Sequence, residues 1–443
     1  MPESLEPAAP EGARRGPILL RFLVHPGTLG TTPPRLEWLR SPDDWGTATV
    51  LWSERRGQEL WVAWNSRADV PTDVRVVLRL VTQAGSAPPL TVDVRNAPEV
   101  DRIILVGHKL VGSHGTGTPT GTKVHALRWS TTTQRMTTPP VLFTVGEGPD
   151  RFRAAPHGRA TAVLESTAGT VSIIGTPLDA ELDHVRVLAS LKPPYGSATG
   201  IRWSADGRYL YVLGLGDGTN PPALWRYEPT EDLSEIPDPV SLATLPGPPS
   251  RFDVDGPTGQ ILVACGSGGH GKGSLVLLGP DGRTVFRLEE NLDPANDLAI
   301  QPSGGIALWT GGISGDQVRR FRFDGPALVE EGAVIHSVRS PQDVVFHPSG
   351  HSALISNLDR NTVTSIVVGP AASAPVQPVG RIPLAADMDV IESGSRAGTV
   401  FVTAVTAIYR VLLSETGVVQ NQGVAFEFGK GAENVATGIA VQR

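Results

Sequence analysis

Residues 341–366 read PQDVVFHPSGHSALISNLDRNTVTSI, and the fold follows from how this run is parsed. An apolar stretch through Phe346 gives way to the turn Pro348-Ser349-Gly350. A second run, Ser352–Ser356, stops at the polar Asn357–Asn361, and Thr362 opens a third. Apolar runs of about four to eight residues bounded by Gly, Pro, Asn and Asp read as strands. A helix would need roughly 10 residues of period-3.6 pattern without a breaker, and none is present.

The same strand–turn–strand grammar recurs through the last three-quarters of the chain, with a period near 47 residues. The turns are FRAAPHGRATAVL, IRWSADGRYLYVL, FDVDGPTGQILVA, LAIQPSGGIALWT and VVFHPSGHSALIS. Their glycines, Gly158, Gly207, Gly259, Gly304 and Gly350, stand 49, 52, 45 and 46 residues apart. A sixth unit, MDVIESGSRAGTVFVT, is stretched at its turn. The C-terminal TGIAVQR matches only the first strand of a unit, and residues 101–149 match a unit lacking that strand. One unit built from both ends would close a ring of repeated sheets and leave no sheet edge open. The expectation is an all-β, seven-bladed β-propeller over residues 99–443, closed by pairing of the C-terminal strand with the first blade.

A competing reading comes from residues 261–275, ILVACGSGGHGKGSL, where Gly266, Gly271 and Lys272 have the spacing of a phosphate-binding loop. That loop needs a hydroxyl after the lysine and a helix beyond it. Here Gly273 follows, then the strand-like SLVLLGPDG. The segment is expected to join the second and third strands of a blade.

The repeat at 341–366, with Asn357 and Asn361-Thr362-Val363, resembles the YVTN-type repeat of bacterial β-propellers. That resemblance extends to the lactonase-like propellers, which include 6-phosphogluconolactonases, and it implies the fold more than the chemistry. Lactonase-type members often carry a Pro-His pair near a blade start. Pro156-His157 falls in a first-to-second-strand turn instead, so no catalytic residue is carried over.

Residues 17–98 do not fit the period. Their alternating strands, hairpin signal at Arg56-Gly57 and break at Pro71-Thr72-Asp73 suggest a small immunoglobulin-like β-sandwich. This part loosely resembles the sandwich modules of bacterial surface proteins. Five of nine tryptophans, Trp38, Trp45, Trp52, Trp61 and Trp64, lie here. They are expected to fill its core, the alternative being an exposed aromatic face. Residues 1–16 are read as a disordered leader.

Composition bounds the function. A net charge of −7 gives no bulk attraction to nucleic acid. No stretch approaches the ~18 apolar residues of a membrane span. The acidic, Pro-rich start, interrupted by Arg21, does not look like a signal peptide, which leaves a cytoplasmic location or export after signal removal. The single Cys265 excludes an intrachain disulfide and reads as a small buried hydrophobe. His347 and His351 flank a turn and are read as exposed there.

In a propeller, the starts of the inner strands surround the mouth of a central channel. The first inward positions are read as Arg151, Gly200, Phe252, Asp297, Asp343, Asp387 and Gly438, preceded by Asp150, Thr199, Arg251, Asn296, Gln342, Ala386 and Thr437. Three successive blades thus aim a carboxylate at one side, with Arg151 and Arg251 on the other. Rim loops add His108, His114, Asp217, His270, Lys272, Asp316, Asp359 and Arg360. Carboxylates this close either raise a pKa or recruit a cation. Asp297, Asp343 and Asp387 are therefore candidate ligands for Ca²⁺, against the alternative that they hold backbone N–H groups.

The expected role is non-catalytic binding of a protein or saccharide partner on the loop-rich face, in a bacterial surface assembly. The alternative is a lactonase-type hydrolase with an acidic, cation-assisted site at the mouth.

Overall fold

The structure, a computed structural model, describes all residues except 1–5, 9–16, 24–33, 42–43, 57–58, 66–73, 83–84, 87–88, 95–100, 110–120, 137–138, 179, 231–232, 267–272, 293–294, 312–316, 332–337, 339, 369–374, 380, 393–395 and 429–434. The chain is all-β. Among the described residues the one helical segment is a 3-10 turn at Leu182–His184. The chain divides into two compact units, Met1–Glu99 with Ser393–Arg396, and Val100–Glu392 with Ala397–Arg443.

Among the described residues the first unit holds two antiparallel sheets. One orders Glu6–Ala8, Pro17–Leu23, Glu59–Asn65 and Val50–Arg56. The other is built on Arg35–Ser41 and Val74–Thr82. Its first strand, Glu6–Ala8, lies within the stretch read as a leader and pairs with Pro17–Leu23. Alternate residues of three strands turn inward, namely Leu20 and Phe22, then Leu60, Val62 and Trp64, then Val76, Leu78 and Leu80, and form one core with Leu36. This is the period-2 pattern of half-buried strands. Trp64 is fully buried and Trp38 packs partly against the same core. Trp45 is half-buried beneath the Arg79 guanidinium, 3.9 Å from its ring centre. The side chains of Trp52 and Trp61 lie outside the described residues.

Among the described residues the second unit contains seven sheets. Six are consecutive four-stranded meanders, whose inner strands are Pro149–Ala154, Ala198–Trp203, Pro249–Val254, Asp297–Ile300, Pro341–Phe346 and Ala385–Val390. They are numbered here first to sixth. The remaining composite sheet joins both ends of the unit, because Val435–Val441 pairs antiparallel with Arg102–Lys109. Each inner strand packs against the next, and Val435–Val441 packs against both Ala385–Val390 and Pro149–Ala154.

The repeat glycines explain the turns. Gly158, Gly207, Gly259, Gly304 and Gly350 all have φ between +69° and +79°, where a Cβ is strained. In the stretched sixth unit Gly398 takes this role, at φ +86°, donating its N–H to Ile391 O over 3.0 Å. Apolar faces of neighbouring sheets meet between them. Leu213 and Leu224 of the second sheet pack with Phe252, Val263 and Val276 of the third. Phe152 and Val163 of the first pack with Ile103 and Val124 of the composite sheet. Each such buried side chain stabilises the fold by ~1.5–3 kcal/mol.

The phosphate-loop lookalike is a strand connection. Ile261–Cys265 pairs antiparallel with Gly273–Leu278, Cys265 opposite Ser274, and a strand stands where that motif needs a helix. His347 departs from its expected exposure. It is buried, and its Nδ1 accepts the N–H of Ser349 at 3.1 Å to fix its own turn.

Candidate functional site

The starts of the inner strands converge on a cluster of buried charge. Five of the six meander inner strands, those starting at Pro149, Ala198, Pro249, Pro341 and Ala385, have an irregular register where they begin. Such a bulge re-aims the next side chain. In the third sheet it puts Arg251 opposite Ala264 and sends Phe252, 3% exposed, into the core. The first inward position of that sheet is therefore Arg251, and the assignment of Phe252 there is corrected. The inward set is Arg151, Gly200, Arg251, Asp297, Asp343, Asp387 and Gly438. Gly438 admits no side chain, since a Cβ there would come within 2.5 Å of the Phe152 ring.

The three aspartates are almost fully buried, 1–2% exposed. Each spends one oxygen on the neighbouring inner strand. Asp297 Oδ2 accepts the N–H of Val344 (3.2 Å), Asp343 Oδ2 that of Met388 (2.7 Å), and Asp387 Oδ2 that of Ile439 (2.9 Å). These bonds use N–H groups on inner strands whose far side has no further strand.

Their other oxygens face Arg151. Rather than standing on the opposite side, Arg151 reaches across, with Nη1 at 3.2 Å from Asp343 Oδ1, 3.1 Å from Asp387 Oδ1 and 4.0 Å from Asp297 Oδ1. Its Nη2 donates to Asn296 O at 3.0 Å, and Arg251 Nε donates to the same carbonyl at 2.7 Å. Arg251 Nη1 also bonds Ser250 O. Two guanidinium groups thus meet at one backbone oxygen. Asp297 Oδ1 has no hydrogen bond among the described residues and sits 4.0 Å from both Arg151 Nη1 and Arg202 Nη2.

The electrostatics follow. Burial pushes the Asp387 carboxyl up to about 7, against the pull of Arg151 and the Ile439 N–H. Burial, with Asp387 and Asp297 beside it, holds Asp343 well above the usual carboxylate range. Burial alone would lower Arg151, but Asp387, Asp297 and Asp343 more than reverse this and raise it. Burial and then the neighbouring Arg151 bring Arg251 down to about 10. Arg151 is therefore a fixed cation, and protonation changes near neutral pH fall on the carboxylates.

These residues do not fit Ca²⁺. Such an ion takes about six to eight oxygens at 2.3–2.6 Å, whereas here each carboxylate is committed to an N–H and Arg151 occupies the space between them. Among the described residues no group of three His, Cys, Asp or Glu is placed to hold a metal ion.

The rim positions are dispersed. Asp150 is half-buried beside Arg151 and adds to the attraction on it. Asp359 and Arg360 are exposed in a turn of the fifth sheet. Asp217 is exposed, its Oδ1 accepting the N–H groups of Thr219 and Asn220 at 3.1 and 2.8 Å. His108 is buried against the rings of His125 and Phe428, centroids 4.6 and 4.5 Å away. His114, His270, Lys272 and Asp316 lie outside the described residues. Burial raises the Cys265 thiol to about 12, which keeps it protonated at neutral pH. Pro156-His157 lies in the turn at the far end of its inner strand. No described helix is long and apolar enough to cross a membrane, which leaves β-barrels unaddressed.

No protein-family description matches the chain, and no curated protein matches it. Solved structures do. A periplasmic gluconolactonase from Pseudomonas aeruginosa superposes with a TM-score of 0.58 at 14% identity, over 78% of this chain and 99% of that one. A Lactobacillus plantarum protein gives 0.57 at 14% identity, over 78% and 100%. A proposed 6-phosphogluconolactonase from Bacteroides uniformis gives 0.56 at 15%, over 77% and 99%. At such identities the likeness speaks to the fold alone, and that fold is a β-propeller.

Proposed function

We propose that the second unit is a closed seven-bladed β-propeller that opens lactones with water at the start of its inner strands. The single observation that carries this reading is the pairing of two guanidinium groups on Asn296 O with the buried Asp343 and Asp387 beside Arg151. The gluconolactonase named among the structural neighbours supports it.

The chemistry needs a base for water and a donor for the carbonyl oxygen. Asp387, ionised above about 7, takes a proton from water as the oxygen attacks the ring carbonyl. Such general-base help contributes ~10²–10⁴-fold. Arg251 Nη2, which has no hydrogen bond among the described residues, donates to the developing oxyanion. The ring C–O bond then breaks, the ring oxygen takes the proton that Asp387 received from water, and a hydroxy acid leaves. Acid release from a panel of aldonolactones by pure protein, with Asp387→Asn and Arg251→Ala alongside, tests this. Loss of turnover in both variants supports the assignment, and wild-type rates equal to buffer remove it.

A second reading is favoured by the aspartate-to-backbone bonds. If those carboxylates serve only to join strands, the face is a docking platform for a protein or saccharide, with the first unit, read as an immunoglobulin-like sandwich, as a second contact module. Saccharide-array binding by a chain inactive on lactones distinguishes this case.

A further inference from the structure

The opposite ends of the inner strands enclose a cavity of about 230 Å³. Side chains two positions along a strand share a face. Below Arg151, Arg251 and Asp387 the same faces therefore present Arg153, Asp253 and Asp389, and below Gly200 they present Arg202. All four line the cavity, with Arg443 and Glu392 at its edge. Ala299, Val345 and Met388 form apolar wall between them.

The charges lining the cavity are not all paired. Arg202 Nε donates to Asp253 Oδ1 at 2.8 Å, and Arg443 Nη2 lies 2.9 Å from Asp389 Oδ1. Both acids are also used as the mouth aspartates are, Asp253 accepting the Ile300 N–H and Asp389 that of Val441, each at 2.7 Å. Glu392, 53% exposed, adds a second carboxylate to Arg443 at 3.3 Å. Arg153, half-buried, spends Nη1 on the adjacent carbonyl of Phe152 at 2.8 Å, and no ion pair is made by it among the described residues. Of the three guanidinium groups lining the cavity, Arg202 and Arg443 are thus paired with carboxylates, and Arg153 is left without one among the described residues. A guanidinium presents five donors in a fork that matches an oxyanion. The volume corresponds to roughly seven or eight waters at ~30 Å³ each, room for a compact organic acid.

We infer that this cavity is a second ligand site, distinct from the mouth, that binds a small oxyanion of single negative charge, a carboxylate or a phosphate, on Arg153. The apolar wall takes the carbon skeleton of an organic acid. Free phosphate fills only the charged part.

Calorimetric titration of the full chain at pH 7 and low chloride, with sodium phosphate in one series and sodium D-gluconate in another, tests this. A one-to-one binding component that survives Arg251→Ala, but weakens at least tenfold in Arg153→Ala and in the cavity-filling Ala299→Leu, is the expected result. Gluconate binding more tightly than phosphate identifies an organic acid as the ligand class, and the reverse order identifies phosphate. The site is overturned if neither anion binds. It is equally overturned if the binding disappears only with Arg251→Ala, or if both cavity variants bind as the parent does. Two chemically different cavity variants keep the test decisive should either one misfold.

Discussion

Arg151 and Asp387 are 236 residues apart in the chain, yet Nη1 of one lies 3.1 Å from Oδ1 of the other. The contact joins the first and sixth sheets across the centre of the second unit. The same guanidinium also reaches Asp343 of the fifth sheet, so one cation holds together carboxylates that would otherwise repel one another.

Removing that cation should be costly. Taking away one partner of a buried ion pair costs ~3–5 kcal/mol, because the remaining charge is stranded. Arg151→Met should lose stability of that order in urea unfolding. Adding Asp387→Asn should recover part of the loss, since it removes one of the stranded charges. Additive losses in the double variant would show that the two residues do not act as a pair.

Stability should fall as pH rises from about 4 toward neutrality. Asp387 moves from an ordinary 3.8 to about 7 on folding, so the native state holds a proton that the unfolded state releases. The stabilisation is complete below the unfolded value and is lost as pH climbs through the folded one. Between those limits the slope is at most ~1.4 kcal/mol per pH unit for one such group. Asp343, shifted in the same direction, adds to it. Melting should be higher at pH 5 than at pH 8, and Asp387→Asn should flatten the difference. An unchanged slope in that variant contradicts the assignment.

Asp343 can be separated into its charge and its hydrogen bond. Asp343→Asn keeps an oxygen for the Met388 N–H but turns an amide donor toward Arg151, so it should cost less than Asp343→Ala without matching the parent. Asp343→Ala leaves that buried N–H without a partner and should cost ~1–3 kcal/mol. Chemical denaturation of both variants checks the ordering. Equal losses would mean that the backbone bond is not what the residue supplies.

Calcium should not stabilise the parent protein, because Arg151 stands among the carboxylates. A site filled at a hundred times its Kd would add ~2.7 kcal/mol. That response is expected in Arg151→Ala, where the oxygens lose their guanidinium. A calcium-dependent melt of the parent would show that Arg151 yields its place to the ion.

The architecture was largely legible because it rests on local rules. Gly158, Gly207, Gly259, Gly304 and Gly350 mark turns that need a positive φ, and their spacing exposes the repeat. The aspartates at Asp297, Asp343 and Asp387 could be aligned for the same reason. The partner of that cluster was not legible. Arg151 crosses because its side chain is long enough to span the space between inner strands, which no spacing encodes. Arg251 was misaligned by one residue because the turn ending at Gly259 holds one residue more than the others, its N–H reaching Asp255 O four residues back where Gly158, Gly207, Gly304 and Gly350 reach three. The lower layer of Arg153, Arg202, Asp253 and Asp389 was overlooked although two-residue alternation points to it. Arg443 carries no sequence signal, since its contact with Asp389 depends on strand pairing between the ends of the unit.

The most direct test of the central claim is the steady-state rate of acid release from D-glucono-1,5-lactone and other aldonolactones, measured against the buffer rate between pH 6 and 8. Turnover by the parent that rises as Asp387 ionises near pH 7, and falls about 10²-fold or more in Asp387→Asn, is the predicted result. A folded parent protein no faster than buffer, or an Asp387→Asn variant as fast as the parent, would contradict it.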